Sequence, residues 1–78
     1  MNVVIIRGVL SRAPELRELP SGSRLAQLEV TVRHPARPTA SVPVALFEPP
    51  VRTLALASGT EVVVTGEVRR RFFRTPAG

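Results

Sequence analysis

Residues 24–33 read Arg-Leu-Ala-Gln-Leu-Glu-Val-Thr-Val-Arg, with an apolar side chain at every second position. Ala26, Leu28, Val30 and Val32 point one way; Leu25, Gln27, Glu29, Thr31 and Arg33 point the other. A two-residue period marks a strand with one dry face and one wet face. The same period returns at 41–47, where Val42, Val44 and Leu46 oppose Ser41, Pro43, Ala45 and Phe47. It returns again over 60–74, where Val62, Val64, Gly66 and Val68 oppose Val63, Thr65, Glu67, Arg69, Arg71 and Phe73. Residues 2–12 are rich in β-branched side chains and predict a further strand. There Val3 and Ile5 lie on one face and Val4 and Ile6 on the other, so both faces need cover, the second from another subunit. Gly8 inside that run predicts a bulge or a sharp bend, as at a barrel corner.

The remaining segments read as punctuation. Pro14 and Pro20 exclude a long helix over 13–23, Pro20-Ser21-Gly22 marks a turn, and Leu16 and Leu19 read as core or interface fillers. Two prolines within 34–40 predict a loop without regular structure. Pro43 lacks a ladder donor, which places its strand at an edge or at a bulge. Residues 49–58 predict a short helix, with Pro50 at its first position, Gly59 as its C-terminal cap and Val51, Leu54 and Ala55 on one face. The order strand, strand, strand, short helix, strand predicts an all-β fold, a small barrel built as one domain of 78 residues. By size scaling such a chain hides only about 60 % of its unfolded surface, so the core is small.

The residue inventory narrows the chemistry. Cysteine and aspartate are absent and His34 is the one histidine. Thiolate chemistry, paired-histidine metal sites and the usual catalytic triads are therefore excluded, and the reading is of a non-enzyme without metal or cofactor. No apolar run spans a membrane, and the N-terminus lacks the pattern of a signal peptide, so the expectation is a cytoplasmic protein without membrane or small-molecule partners. Eleven basic residues, all arginine, against six glutamates give a net charge of +5, which favours a polyanionic partner.

In order and motif the chain resembles the DNA-binding domain of bacterial single-stranded DNA-binding proteins, an OB-fold. The matching segments are Met1-Asn2-Val3-Val4-Ile5-Ile6-Arg7-Gly8, Arg12-Ala13-Pro14-Glu15-Leu16-Arg17 and Pro20-Ser21-Gly22. They continue with Val42-Pro43-Val44-Ala45-Leu46-Phe47 and with residues 58–71, from Ser58-Gly59-Thr60 to Arg69-Arg70-Arg71. The Arg-Ala-Pro and Pro-Ser-Gly features are also similar to primosomal replication protein N. The resemblance implies a small OB-fold-like β-barrel with four strands and one short helix. The family's closing fifth strand is missing, so residues 1–78 read as one OB-fold domain incomplete at its C-terminus. It further implies a dimer or tetramer that binds single-stranded DNA in replication, repair or recombination.

Carried over residue by residue, the family's stacking aromatics fall on Phe47 and Phe73, while Ser41 stands where the family commonly has tryptophan. Stacking needs a flat ring beside cations. Arg69, Arg71 and Arg74 lie around Phe73, Arg33 precedes the proline-rich loop that also holds His34 and Arg37, and Arg7 interrupts the first apolar run and reaches toward the groove. Each has a plainer reading. A phenylalanine is often core, an arginine run is often a solvated strand edge, and arginine in place of lysine throughout reflects coding bias. The outward parity of Phe47 favours the surface role. The alternative for the whole chain is a diverged OB-fold interaction module that pairs with a homologue and binds nucleic acid weakly or not at all.

Overall fold

A computed structural model of the chain describes residues 1–69. In chain order the elements are β1 (Val4–Leu10), β2 (Glu15–Glu18), β3 (Arg24–His34), β4 (Arg37–Phe47), α1 (Val51–Leu54) and β5 (Glu61–Gly66). The fold is all-β with one short helix, as the alternation predicts. Every pairing is antiparallel, in the order β2-β3-β1-β5, with β4 on the free side of β3. β3 is the central strand. Its whole length pairs with β4, from Leu25 opposite Phe47 to His34 opposite Arg37. Its other side is shared: Glu15–Glu18 of β2 pair with 24–27, and Val9 and Leu10 of β1 pair with Thr31 and Val30. β4 and β5 do not pair with each other, so the sheet does not close among the described residues.

The inward row of β3 makes the core. Ala26, Leu28 and Val30 are buried together with Leu10, and Ile6, Val32, Val44, Leu46, Leu54, Leu56, Val62 and Val64 pack around them half-buried. β1 belongs to two ladders. Val4 to Val9 pair with β5, and from Val9 onward the strand turns onto β3. Gly8 sits at that change of partner against β3. An added Cβ there runs into the Thr31 carbonyl oxygen and lies 2.8 Å from Cγ1 of Val30. The requirement for glycine is one of close approach, because two strands cross where a side chain would stand.

Several local expectations are corrected. Residues 15–18 form a strand, because Pro14 and Pro20 bracket the segment without interrupting it and a turn closed by Leu19 N–H to the Ser23 carbonyl (2.7 Å) folds it onto β3. Leu16 there is exposed and Leu19 half-buried. The segment 34–40 is almost wholly strand. Pro35 and Ala36 make a two-residue turn, in which the Ala36 N–H donates to Nδ1 of His34 (3.1 Å). Pro38 falls where the register shifts between Val32 and His34, so that Pro38 and Thr39 together oppose Arg33. A bulge is a place where a missing donor costs no ladder bond. The helix is a single turn: Pro50 is its N-cap, Ala55 its C-cap, and Val51 is exposed where helical spacing placed it on the buried face. Gly59, at φ +88°, serves the turn into β5 instead of capping the helix. The last strand ends at Gly66, and Val68 is exposed.

Beyond Gly66 the β1·β5 pairing is prolonged by a side chain. Asn2 Nδ2 donates to the Val68 carbonyl (2.6 Å), and its Oδ1 accepts from the Val68 N–H (3.3 Å). The amide thus takes the place of a backbone partner. Asn2→Ala is expected to cost about 1 kcal/mol or less, since the bonds are exposed, and to speed hydrogen exchange at the Val68 amide. Unchanged exchange at Val68 would show that the side chain holds nothing there.

Candidate nucleic-acid interface

Among the described residues the β3–β4 hairpin brings basic side chains and an exposed phenyl ring onto one acid-free stretch. Between Glu29 and Glu48 the sequence has no carboxylate, while it holds Arg33, His34 and Arg37. Arg33, His34 and Arg37 are all exposed toward the hairpin tip, where residues 33–41 are open to solvent. Among the described residues neither Arg33 nor Arg37 forms an ion pair. Phe47 stands at the other end of β4. Ten residue steps separate it from Arg37, or about 33 Å along an ideal strand.

Phe47 is 54 % exposed and has the outward parity that its place in the alternation predicts. Directly opposite lies Leu25, and opposite Leu25 on the next strand lies Arg17, so one row across three strands reads Phe47, Leu25, Arg17. Leu25 is buried although it lies on the outward side of its strand. A phenyl ring flanked by an aliphatic residue and half open to solvent offers one free flat face. Ser41, on the same outward parity of β4, pairs with Thr31, so the row that lacks an aromatic is polar.

The remaining predicted residues separate into three groups. Arg7 is held by Glu61, with Nε at 2.9 Å and Nη2 at 2.8 Å from the same carboxylate oxygen. It shares a shallow hollow with Arg33, Thr31 and Glu61 on the outer side of β1, away from Phe47. Arg69 is exposed, pairs with Glu67 at 3.3 Å, and lines the open groove between β4 and β5, which Phe47 also borders. Phe73, Arg71 and Arg74 lie outside the described residues. The pairs of Arg7 and Arg69 are solvent-exposed, so they are weak and can be exchanged for phosphate contacts.

Arg17 is a member of the Phe47 row that sequence reasoning did not single out. It loosely contacts Glu15 at 3.6 Å. Its strand is only four residues long, so no periodicity marked it; only the register with β3 brings it beside Phe47. Among the described residues no three histidine or glutamate side chains converge on a point that would hold a metal ion. No helix there is long and apolar enough to cross a membrane. No protein-family model matches the sequence, and comparison with curated proteins finds no significant relative.

Proposed function

We propose that this chain binds single-stranded DNA without sequence preference, through base stacking on Phe47 and arginine contacts to phosphate, as a component of replication, repair or recombination. The observation that carries the reading is the β3–β4 hairpin: acid-free between Glu29 and Glu48, with Arg33 and Arg37 toward its tip, and ending in a half-exposed phenyl ring. Stacking on a ring tolerates any base, and guanidinium groups follow the backbone, so the pair of features gives affinity without sequence readout. Arg7 and Arg69 extend the cationic surface, and Arg70 and Arg71 follow Arg69 in the sequence. The exposed Val3, Ile5 and Val63 on the outer side of β1 and β5 support self-association in a cytoplasmic homo-oligomer.

The test is fluorescence anisotropy with labelled oligo-dT over a range of salt. If about four arginines neutralise phosphates, the slope of log K against log salt is near −3 for a single strand. Affinity then falls roughly 20–60-fold between 50 and 200 mM salt. An affinity independent of salt, or no binding at low salt, would overturn the proposal. Competition by oligo-U against oligo-dT separates a DNA preference from an RNA preference.

A further inference from the structure

Among the described residues Glu48 is the one residue other than glycine with a positive φ, at +49°. A side chain in the left-handed region is uncommon, and where it occurs it falls mostly on asparagine, aspartate or histidine. Pro49 follows, and a residue before proline is pushed toward extended backbone. Two local preferences are thus overruled at one position, directly after Phe47. Backbone of this kind persists only where its surroundings hold it, and it gathers at functional sites. The hold is visible at the end of the β3–β4 ladder. In a regular antiparallel pair, two residues exchange both of their backbone bonds. Here the Glu48 N–H donates to the Arg24 carbonyl at 2.8 Å, while the Arg24 N–H donates to Oε1 of Glu48 at 3.2 Å. The side-chain carboxylate takes the place that the backbone carbonyl has in a regular pair.

The turn at Glu48 decides what shares the outward face with Phe47. In a continuing strand, the second residue onward returns to the same face about 7 Å further along. Pro49 would then stand beside the phenyl ring. It is buried instead, and Pro50 after it caps α1. Phe47 is therefore the last residue of the outward row of β4, and it is 54 % exposed. The price of this arrangement is a negative charge next to a ring read as facing phosphates. A glycine would accept the same φ without strain and without charge. It would lack the acceptor for the Arg24 N–H.

We propose that Glu48 is a positioning residue for Phe47: its carboxylate, bound to the Arg24 N–H, holds the left-handed turn that takes Pro49 off the outward face and fixes the ring at the end of that face. The proposal rests on the reading of Phe47 as a stacking residue. A ring held in one place stacks on a base at a smaller loss of side-chain freedom than one that must first be ordered.

Glu48→Gln and Glu48→Met separate the hydrogen bond from the charge. Both remove the negative charge at nearly constant side-chain length, and glutamine alone keeps a strong acceptor for the Arg24 N–H. In the full chain, Glu48→Gln is expected to bind labelled oligo-dT at least as tightly as the parent, since a charge that repels phosphate is gone. Glu48→Met is expected to bind roughly three- to tenfold more weakly than Glu48→Gln, the loss that goes with one hydrogen bond. A second readout needs no DNA. The chain has no tryptophan or tyrosine, so Phe47→Trp introduces a single reporter at the ring position. In that background Glu48→Gln is expected to leave the local anisotropy decay of the tryptophan unchanged. Glu48→Met is expected to speed it, with the far-ultraviolet circular dichroism of the fold retained. A third readout needs no substitution: the Arg24 amide of the parent is expected to exchange its hydrogen more slowly than an unfolded chain does. Parent binding with equal affinities of the glutamine and methionine variants would overturn the role of Glu48 alone. Failure of the parent to bind oligo-dT would overturn the stacking reading on which the proposal rests. Equal tryptophan mobility in all three chains, or an unprotected Arg24 amide, would overturn the hold on the ring whatever the DNA result.

Discussion

Replacing Gly8 by valine is expected to leave the chain largely unfolded, and replacing it by alanine to cost about 1–3 kcal/mol, the range of an overpacked core position. The reason lies in what stands opposite. The atoms nearest to an added Cβ are the backbone carbonyl of Thr31 and Cγ1 of Val30, whose side chain is fully buried. Neither can swing aside. Thr31 and Val30 belong to the central strand, tied to β4 on one side and to the end of β1 on the other. Moving them breaks ladders on both sides. A domain of this size has few kcal/mol to lose, about 0.05–0.15 per residue in total. In a urea titration with a slope of about 1 kcal/mol per molar, Gly8→Ala lowers the midpoint by about 1–3 M. A Gly8→Ala variant that unfolds at the parent midpoint would show that β1 does not cross β3 so closely. Gly22, whose added Cβ would meet nothing within 4 Å, is the contrasting case: its constraint is a backbone at φ +89° alone.

Phe47→Ala is expected to weaken oligo-dT binding by about 5–150-fold, the equivalent of the roughly 1–3 kcal/mol that one stacked base contributes. Truncation to alanine also removes the apolar cover of Leu25, so it tests packing and stacking together. Phe47→Leu separates them. Leucine keeps an aliphatic partner for Leu25 and costs less than about 1.5 kcal/mol of stability, but it has no flat face. Binding lost in the leucine variant and restored in Phe47→Trp, with the unfolding midpoint changed little in either, is the signature of stacking. A leucine variant that binds as the parent does would remove Phe47 from the interface. The Phe47 effect should persist at high salt while the arginine contribution fades, because stacking releases no counterions.

The inner and outer rows were legible because strand parity is a local property. Val42, Val44 and Leu46 lie inward and Phe47 outward, as a period of two requires whatever the strand pairs with. The reading of the Pro43 strand as an edge or a bulge followed likewise from a missing donor, and among the described residues β4 pairs with β3 alone. The same proline argument failed between 34 and 40. Proline excludes a residue from the interior of a ladder, but a two-residue turn and a bulge are open to it, and Pro35 and Pro38 occupy those two places. β2 was hidden because four residues are too few to show a period. The helix was overdrawn because proline before and glycine after a segment bound its length without filling it; the apolar Val51 stays in solvent.

The candidate site divides along the same line. A phenylalanine on the wet face and an acid-free stretch of basic residues can be read from the chain alone, since side-chain direction in a strand and net charge are both counted residue by residue. The row Arg17, Leu25, Phe47 and the crossing that forbids a side chain at Gly8 both join residues distant in sequence. Register decides those contacts, and register is chosen by the burial of all the inner rows at once. The strands were written in the order of the amino acids; which strand lies beside which was settled only when they folded against one another.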